Sequence, residues 1–406
     1  MIDTVLQYLY GRVRLKGEQT RFYDFLDSMN NPEKELTVIS IAGTNGKGST
    51  ANYLTSVLIE NDYNVGTFTS PHLVVHNDRI KVNNKNISDE KLIEYYNRYQ
   101  KLWDEYNLSM FEIDLFMAII YFKELSVDIC VVEAGIGARL DVTNCLTPIV
   151  SLITNVSYDH QELLGNTIKD IAYQKAGIIK QDVPVFTTET KEEAIFEIKK
   201  EAHIKNSNVH IIYPTKEVVV SENDISFIYK GNNYILSTLA TYQVNNATLA
   251  LSVVDYLNTI GYVIEYKKTY IGLQKSNWAG RFEVMSNDPL IVIDGAHNVA
   301  GIQSLIESLR NIKKPKKVLF SAMADKDYDE MLNVLSKEVK DITITSFNMK
   351  RVFDIDSVNY PSIRVIDNYI DALSLLIDEA KQNNECLVIT GSLYFISEVR
   401  NALLNK

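Results

Sequence analysis

The residues best suited to chemistry lie in one glycine-rich segment, Ile41-Ala42-Gly43-Thr44-Asn45-Gly46-Lys47-Gly48-Ser49-Thr50. It follows the apolar run LTVISIAG and precedes a helical pattern, ANYLTSVLIENDY. Glycines let backbone N–H groups face phosphates, and the N-terminus of the following helix adds a favourable dipole. Lys47 would neutralise β- and γ-phosphate charge. The segment therefore predicts a phosphate loop, and the alternative, a glycine-rich turn with a solvated lysine, fits the order of strand, turn and helix less well.

The spacing GxxGKGST differs from the common GxxxxGK[ST], because Gly48 stands where the usual hydroxyl residue does. The hydroxyl ligand for magnesium is therefore expected elsewhere in the chain. Glu133 ends the apolar run VDICVVEAG, and the carboxyl edge of a parallel sheet is a natural place for a ligand. Taken alone, His160 fits a structural histidine, Ser70 a turn residue beside Pro71, and Lys175 a solvated lysine.

Apolar runs alternating with helical patterns predict an α/β fold with buried parallel strands. The strand candidates of the first series are 36–43, 127–135, 148–156 and 183–188, and two-residue alternation at 209–237 predicts an antiparallel hairpin or small added sheet. A second series follows at 290–297, 317–323, 341–347 and 386–392. The polar turn at 286–289 places a domain boundary near 285, giving domains 1–285 and 286–406.

The composition narrows the class of protein. A chain of 406 residues predicts two or three domains at ~100–200 residues each. The net charge of −11 argues against nucleic-acid or membrane partners, although a local cationic cluster could still bind an anion. The three cysteines form no CxxC pair, the N-terminus has no apolar signal region, and no run reaches the ~18–20 residues of a membrane span. We expect a cytoplasmic, monomeric protein.

Several ordered motifs resemble one family. AGTNGKGST, TSPHL with HNDRIKVN, EAGIGARLDVTN and TNVSYDHQELLGNTIKDIAYQKAGIIK are similar to segments of the folylpolyglutamate synthase/dihydrofolate synthase family of the Mur ligase superfamily. QVNNA, WAGRFE, DGAHN, DKD and GSLYFISEVR continue the series. Ala138, Val142 and Tyr242 depart from the family pattern, the first two beside Asp141. The resemblance implies a P-loop NTPase-like N-terminal domain of the Mur ligase central-domain type and a smaller Rossmann-like C-terminal domain.

The resemblance also implies site residues. The magnesium ligands would be Ser70, Glu133 and His160, with Lys175 joining them if it is carbamylated. ATP would contact Gly43, Thr44, Asn45, Gly46, Lys47, Gly48, Ser49, Asn246, Arg281, Asp294 and His297, although His297 could equally cap its loop or face glutamate. The pterin would contact Phe111, Glu112 and Asp141, where Phe111 could also be core. Lys47, Lys175 and His160 would act in catalysis.

The predicted reaction is ATP-dependent ligation of L-glutamate to a folate, with dihydropteroate as a second possible acceptor. Three alternatives remain open. Another Mur-type ligase using a different carboxylate, such as a UDP-sugar peptide, normally has a further N-terminal domain of ~100 residues, for which the loop at residue 43 leaves no room. A nucleotide-binding module without catalysis would not need Lys47, Glu133, His160 and Lys175 together. A dinucleotide oxidoreductase would need GxGxxG after a strand, which is missing.

Overall fold

A computed structural model describes residues 1–12, 20–213, 215, 217–349, 351–355 and 363–405. The fold is mixed α/β, with three sheets in the described part of the chain. None of the helices in that part combines the length and apolar character needed to cross a membrane.

Helices occur from one end of the described chain to the other. They are α1 (Ile2–Tyr10), α2 (Thr20–Ser28), α3 (Lys47–Glu60), α4 (Asp89–Glu105), α5 (Met110–Glu124), α6 (Gln161–Leu164), α7 (Ile168–Ala176), α8 (Glu192–Ile204), α9 (Gln243–Thr259), α10 (Tyr266–Lys275), α11 (Val299–Leu309), α12 (Tyr328–Glu338), α13 (Tyr369–Asn383) and α14 (Leu393–Leu404).

Strands lie between many of these helices along the chain. They are β1 (Val38–Ala42), β2 (Val65–Phe68), β3 (Ile80–Val82), β4 (Lys85–Asn86), β5 (Ile129–Glu133), β6 (Val150–Ile153), β7 (Val185–Thr187), β8 (Val209–Ile211), β9 (Val218–Val220), β10 (Ile225–Tyr229), β11 (Asn232–Leu236), β12 (Glu283–Asn287), β13 (Leu290–Ile293), β14 (Lys316–Phe320), β15 (Asp341–Ser346), β16 (Arg364–Asn368) and β17 (Cys386–Thr390).

The largest sheet has the order β4-β3-β2-β5-β1-β6-β7-β8. Its strands pair in parallel from β2 to β8, whereas β3 and β4 form an antiparallel edge. The central strands β1 and β5 are buried along their whole length, as near-continuous apolar runs in a parallel sheet require. Because β1 lies between β5 and β6, the segments that follow these three strands meet at one carboxyl edge.

A second sheet has the order β12-β13-β17-β14-β15-β16, parallel except for the antiparallel pair β12 and β13. Helices α11 and α12 contribute Ile302, Leu305, Met331 and Leu335 to the core beside it. Strands β9, β10 and β11 form a separate antiparallel sheet. The second sheet therefore has the Rossmann-like character that its alternating sequence predicts.

Most predicted strands are confirmed as β1, β5, β6, β7, β13, β14, β15 and β17. The antiparallel prediction for 209–237 is confirmed for β9 to β11 but is wrong for β8, which pairs in parallel with β7. The reason is α8, which returns the chain in a β-α-β crossover rather than a hairpin. The sequence pattern does not predict strands β2, β3, β4, β12 and β16.

The chain divides into two compact units, and the division differs from the predicted boundary near 285. One unit comprises 1–157, 161–214 and 245–276, and the other comprises 158–160, 215–244 and 277–406. Strand β12 spans the predicted boundary, and its ladder with β13 joins it to the second sheet. The small antiparallel sheet also belongs to the second unit rather than to the first.

Within the first unit, Gly272 lets α10 approach α3 closely. A Cβ at Gly272 would lie 2.7 Å from Val57 Cα and 2.9 Å from Ser56 O, which are backbone atoms that cannot rotate away. We predict that Gly272→Ala lowers the free energy of unfolding by about 1–3 kcal/mol, because the helices must separate. Urea denaturation measures this.

The exposed Lys267 on the same helix provides a control. Lys267→Ala should leave the unfolding free energy within about 0.5 kcal/mol of the original value. Without a steric clash, Gly272→Ala should stabilise the protein, because alanine is the better helix former by ~1 kcal/mol. An unchanged or higher free energy of unfolding would therefore contradict the close approach of the two helices.

Candidate active site

The predicted phosphate loop joins β1 to α3 in a geometry that only glycine accommodates at two positions. Gly43 has φ +151° and Gly46 has φ +86°, both unfavourable for residues with a Cβ. A Cβ would also collide with Thr154 Oγ1 at Gly43 and with Asn246 Oδ1 at Gly46. Both glycines are therefore required by the turn itself.

The loop backbone is tied to the segment that follows β6. Thr44 N donates to Asn155 O at 2.8 Å, and Asn45 N donates to Asn155 Oδ1 at 3.0 Å. The Thr44 hydroxyl donates to Ser157 O and accepts from Ser157 N, at 3.1 and 2.9 Å. Thr44 and Asn45 thus hold the loop in shape.

The first turn of α3 presents the remaining donors. The leading N–H groups of a helix have no partner within it, and here they belong to Lys47, Gly48 and Ser49. Together with the positive end of the helix dipole they form an anion-binding terminus. The Asn246 amide lies against Gly46 at the same turn.

Two lysine side chains converge on the loop. Lys47 Nζ donates to Gly43 O and Thr44 O, each at 3.2 Å, and lies 3.8 Å from Glu133 Oε1. Lys175, which is buried near the end of α7, donates to Gly43 O at 2.8 Å. Two amines and one carboxylate therefore lie beside this loop.

Glu133 and Ser70 form the oxygen-rich part of this region. Glu133 is the last residue of β5 and is buried, and its Oε2 accepts a hydrogen bond from Ser70 N at 3.2 Å. Magnesium prefers oxygen ligands and keeps several waters, so one or two protein ligands suit it. Across the described ranges, no three His, Cys, Asp or Glu side chains are grouped so that they could hold a metal ion. The chemistry of the Glu133 carboxylate and a neighbouring serine hydroxyl is that of ligands which a partly hydrated magnesium ion accepts.

The predicted pterin residues lie together in the first unit. A small pocket is lined by Phe22, Tyr23, Glu112, Asp141 and Val142. A Cβ at Gly135 would lie 2.9 Å from the Phe111 ring and 3.1 Å from Asp141 Oδ2, so the ring and the carboxylate both approach this glycine.

Both carboxylates of this pocket also cap local structure. Glu112 accepts from Ser109 N and Ser109 Oγ, each at 2.6 Å, and from Arg21 at 3.2 Å. Asp141 accepts from Thr143 N at 3.1 Å and from Ile136 N at 3.1 Å. Their positions are therefore fixed by the backbone.

In the second unit, Asp294 follows β13 and is fully buried. It accepts from Tyr242 Oη at 2.6 Å, Phe282 N at 2.8 Å and Ala296 N at 2.9 Å. Burial raises the pKa of Asp294, and the Tyr242 hydrogen bond and the Arg281 charge oppose that rise. Arg281 itself donates to Gly295 O at 3.0 Å.

The segment Tyr158–His160 belongs to the second unit. His160 adopts a left-handed backbone with φ +49°, and its side chain is partly exposed. Asp159 accepts from Lys326 Nζ at 2.6 Å and Asn298 Nδ2 at 3.0 Å. Burial alone would raise the pKa of Asp159, but the hydrogen bond and charge of His297 and the charge of Lys326 hold it well below its usual range.

The structure thus sorts the predicted residues into three groups. The phosphate-loop group contains Gly43, Thr44, Asn45, Gly46, Lys47, Gly48, Ser49, Ser70, Glu133, Lys175 and Asn246. The pocket group contains Phe111, Glu112 and Asp141, and the second unit holds His160, Arg281, Asp294 and His297.

Sequence reasoning gave no role to four residues that the structure brings into these groups. They are Phe22, Tyr23, Asn155 and Lys326. Lys326 lies in the DKD motif, which could have pointed to it. Phe22 and Tyr23 lie in an ordinary helical pattern, which gives no indication of a pocket.

Comparison with known proteins identifies the class and then the family. The Mur ligase middle domain matches residues 41–254, and the Mur ligase glutamate ligase domain matches 280–393. The dihydrofolate synthase/folylpolyglutamate synthase of Bacillus subtilis (strain 168) is 33% identical over 98% of this chain and 97% of its own length. The chain has the architecture of a Mur ligase.

Solved structures agree with this assignment. Mycobacterium tuberculosis folylpolyglutamate synthase complexed with ADP and AMPPCP has a TM-score of 0.91 at 26% identity, covering 99% of this chain and 98% of that one. An FPGS–AMPPCP–folate complex has a TM-score of 0.87 at 31% identity, covering 99% of both chains. The chain belongs to the folylpolyglutamate synthase/dihydrofolate synthase family of Mur ligases.

The buried Asp294 gives a pH-dependent prediction. Tyr242→Phe removes a hydrogen bond to a buried carboxylate, so we expect the free energy of unfolding to fall by about 1.5–3 kcal/mol at pH 7.5. Because burial raises the pKa of Asp294 above its ordinary value, the carboxylate gains its proton as the pH falls, and the loss should be smaller at about pH 4 than at pH 7.5. Urea denaturation at the two pH values measures both effects.

Tyr95→Phe serves as the control in the first unit. Tyr95 donates to Glu124 at 2.9 Å, but Glu124 is partly exposed and water can replace the lost bond. This variant should lose about 1 kcal/mol or less. An equal loss for Tyr242→Phe at both pH values would contradict the assignment of the effect to the charge of Asp294.

Proposed function

We propose that this chain catalyses the ATP-dependent ligation of L-glutamate to a folate through an acyl phosphate, with dihydropteroate as a further acceptor. Membership of the family supports the reaction class. The observation that carries the chemical argument is the convergence of the α3 N-terminus, Lys47 and Glu133 at one turn. We further propose a monomeric cytoplasmic enzyme without nucleic-acid or membrane partners, which the net charge of −11 supports.

The phosphate-loop group would bind and orient the ATP phosphates. Backbone N–H groups of Gly46, Lys47, Gly48 and Ser49 would face the β- and γ-phosphates, and Lys47 would add a positive charge. Thr44 and Asn45 keep that backbone in place. Asn246, Arg281, Asp294 and His297 would bind the rest of the nucleotide, as the family resemblance implies.

Glu133 and Ser70 would hold magnesium, with His160 as the third ligand implied by the family. Bound there, Mg²⁺ would neutralise charge on the transferring phosphoryl group. Lys175 is buried and its amine reaches Gly43 O, which supports a role beside the phosphates. Its carbamate would keep one N–H to donate to Gly43 O and would add an anionic oxygen ligand.

The pocket group would receive the pterin. Glu112 and Asp141 are carboxylates that suit a hydrogen-bonding heterocycle, and Phe111, Phe22 and Tyr23 offer apolar and aromatic surface. Val142 lines this pocket and departs from the family pattern, so the choice between folate and dihydropteroate would be decided here.

The reaction is tested by glutamate-dependent ADP release with MgATP, using dihydropteroate and a reduced folate in separate reactions. Turnover with both would make the enzyme bifunctional, and turnover with the folate alone would make it a polyglutamylating enzyme. If neither acceptor supports ADP release, the folate proposal is overturned and a Mur-type ligase for another carboxylate is favoured.

Lys47→Ala tests the phosphate assignment. It removes the cation at the loop, and we predict a loss of at least about 10²–10³ in kcat with an unchanged circular dichroism spectrum. Lys275→Ala is the matched control, because Lys275 pairs with Glu60 at the opposite end of α3. It should retain full activity. Full activity of Lys47→Ala would contradict the assignment of Lys47 to the ATP phosphates.

A further inference from the structure

Asn155 makes two side-chain hydrogen bonds to the phosphate loop. Its Oδ1 accepts from Asn45 N at 3.0 Å, and its Nδ2 donates to Asn45 O at 2.9 Å. One side-chain amide therefore pairs with both backbone polar groups of a single loop residue. We infer that Asn155 is a positioning residue that fixes the loop backbone and thereby sets its affinity for the nucleotide phosphates.

The sheet explains why a side chain is needed at this point. The parallel ladder of β1 and β6 ends at Ala42 and Ile153. Two backbone bonds extend it, from Thr154 N to Ala42 O at 2.9 Å and from Thr44 N to Asn155 O at 2.8 Å. Beyond them the chain turns through Gly46 into α3, so backbone pairing with the β6 extension stops.

Asn155 replaces the missing pairing. A carboxamide carries the same donor and acceptor as a peptide group, so it can continue a ladder where the backbone cannot. Serine has a single hydroxyl and is too short to meet both groups, and alanine meets neither. The residue type at 155 therefore matters for the loop even though Asn155 need not touch the nucleotide.

The contacts of Asn155 should therefore affect nucleotide binding more than the chemical step. Gly43 and Gly46 make the loop backbone permissive, so its binding geometry must be enforced by neighbours. If the loop has its binding geometry in only a fraction of the molecules, the apparent Kd is the intrinsic Kd divided by that fraction. Two lost hydrogen bonds predict a nucleotide Kd raised about ten- to thirtyfold.

Asn258 offers a matched control in the same unit. Its Oδ1 accepts from Ile264 N at 2.9 Å and its Nδ2 donates to Ile264 O at 3.2 Å, so it makes the same two-bond pattern, also partly buried. It lies twelve residues along α9 from Asn246, which is about 18 Å at the helical rise of 1.5 Å per residue.

The experiment compares full-length Asn155→Ala, Asn155→Ser and Asn258→Ala with the original protein. Isothermal titration with Mg-AMPPCP gives the Kd, steady-state kinetics give KM for ATP and for glutamate, and thermal melting gives stability. We expect Asn155→Ala to raise the AMPPCP Kd and the KM for ATP about ten- to thirtyfold, with the KM for glutamate within about twofold. Asn155→Ser should fall between, because one bond can remain.

Asn258→Ala should lower the melting temperature by a similar amount and leave the AMPPCP Kd within about twofold. The inference is overturned if Asn155→Ala binds AMPPCP like the original protein, or if Asn258→Ala weakens binding as much. Should Asn155→Ala fail to fold, Asn155→Ser decides in the same way.

This inference rests on the proposed function, because it concerns the same nucleotide site, but the two can fail separately. An original protein that binds AMPPCP yet ligates glutamate to neither acceptor refutes the proposed reaction and leaves the Asn155 comparison standing. An active original protein with unchanged binding in Asn155→Ala refutes the role of Asn155 alone.

Discussion

The turn between β1 and α3 is the constraint on which the rest of the site depends. It must reverse the chain within four residues, present the first turn of α3 at the carboxyl edge of the sheet and keep both lysines in reach of Gly43 O. Two positive-φ glycines make the turn possible, and backbone hydrogen bonds to the segment after β6 hold it in one conformation. Catalysis by positioning and electrostatics needs such a rigid frame, because its donors must be in place before charge develops.

The same carboxyl edge organises the other groups of the first unit. Glu133 ends β5, the Ser70 segment follows β2, and the Asn155 segment follows β6, so the two neighbours of β1 and the next strand, β2, all place polar residues near one turn. This is the general property of a parallel sheet, whose strand ends share one side. The strand order alone therefore brings together the polar residues that follow β2, β5 and β6.

Much of this could be predicted from the sequence, and the failures have a common cause. The glycine spacing, Lys47 and Glu133 are visible because they sit at the ends of strongly patterned elements. The parallel pairing of β8, the ladder that draws β12 into the second sheet and the Asp159–Lys326 pair depend on contacts between distant parts of the chain. Local periodicity carries no information about such partners. Phe22 and Tyr23 were missed for the same reason, since a helical pattern does not say which pocket its residues face.

The capping bonds of Glu112 and Asp141 have a consequence for how this pocket can evolve. Each carboxylate satisfies backbone N–H groups at the start of a helical segment, a role worth about 1 kcal/mol or more. Replacing either one would alter recognition and fray the backbone in the same step. Phe22 and Val142 line the pocket without any hydrogen-bonding atom in their side chains. Lineages that shift their acceptor preference should therefore accumulate changes at such apolar neighbours, while the two acids stay as they are.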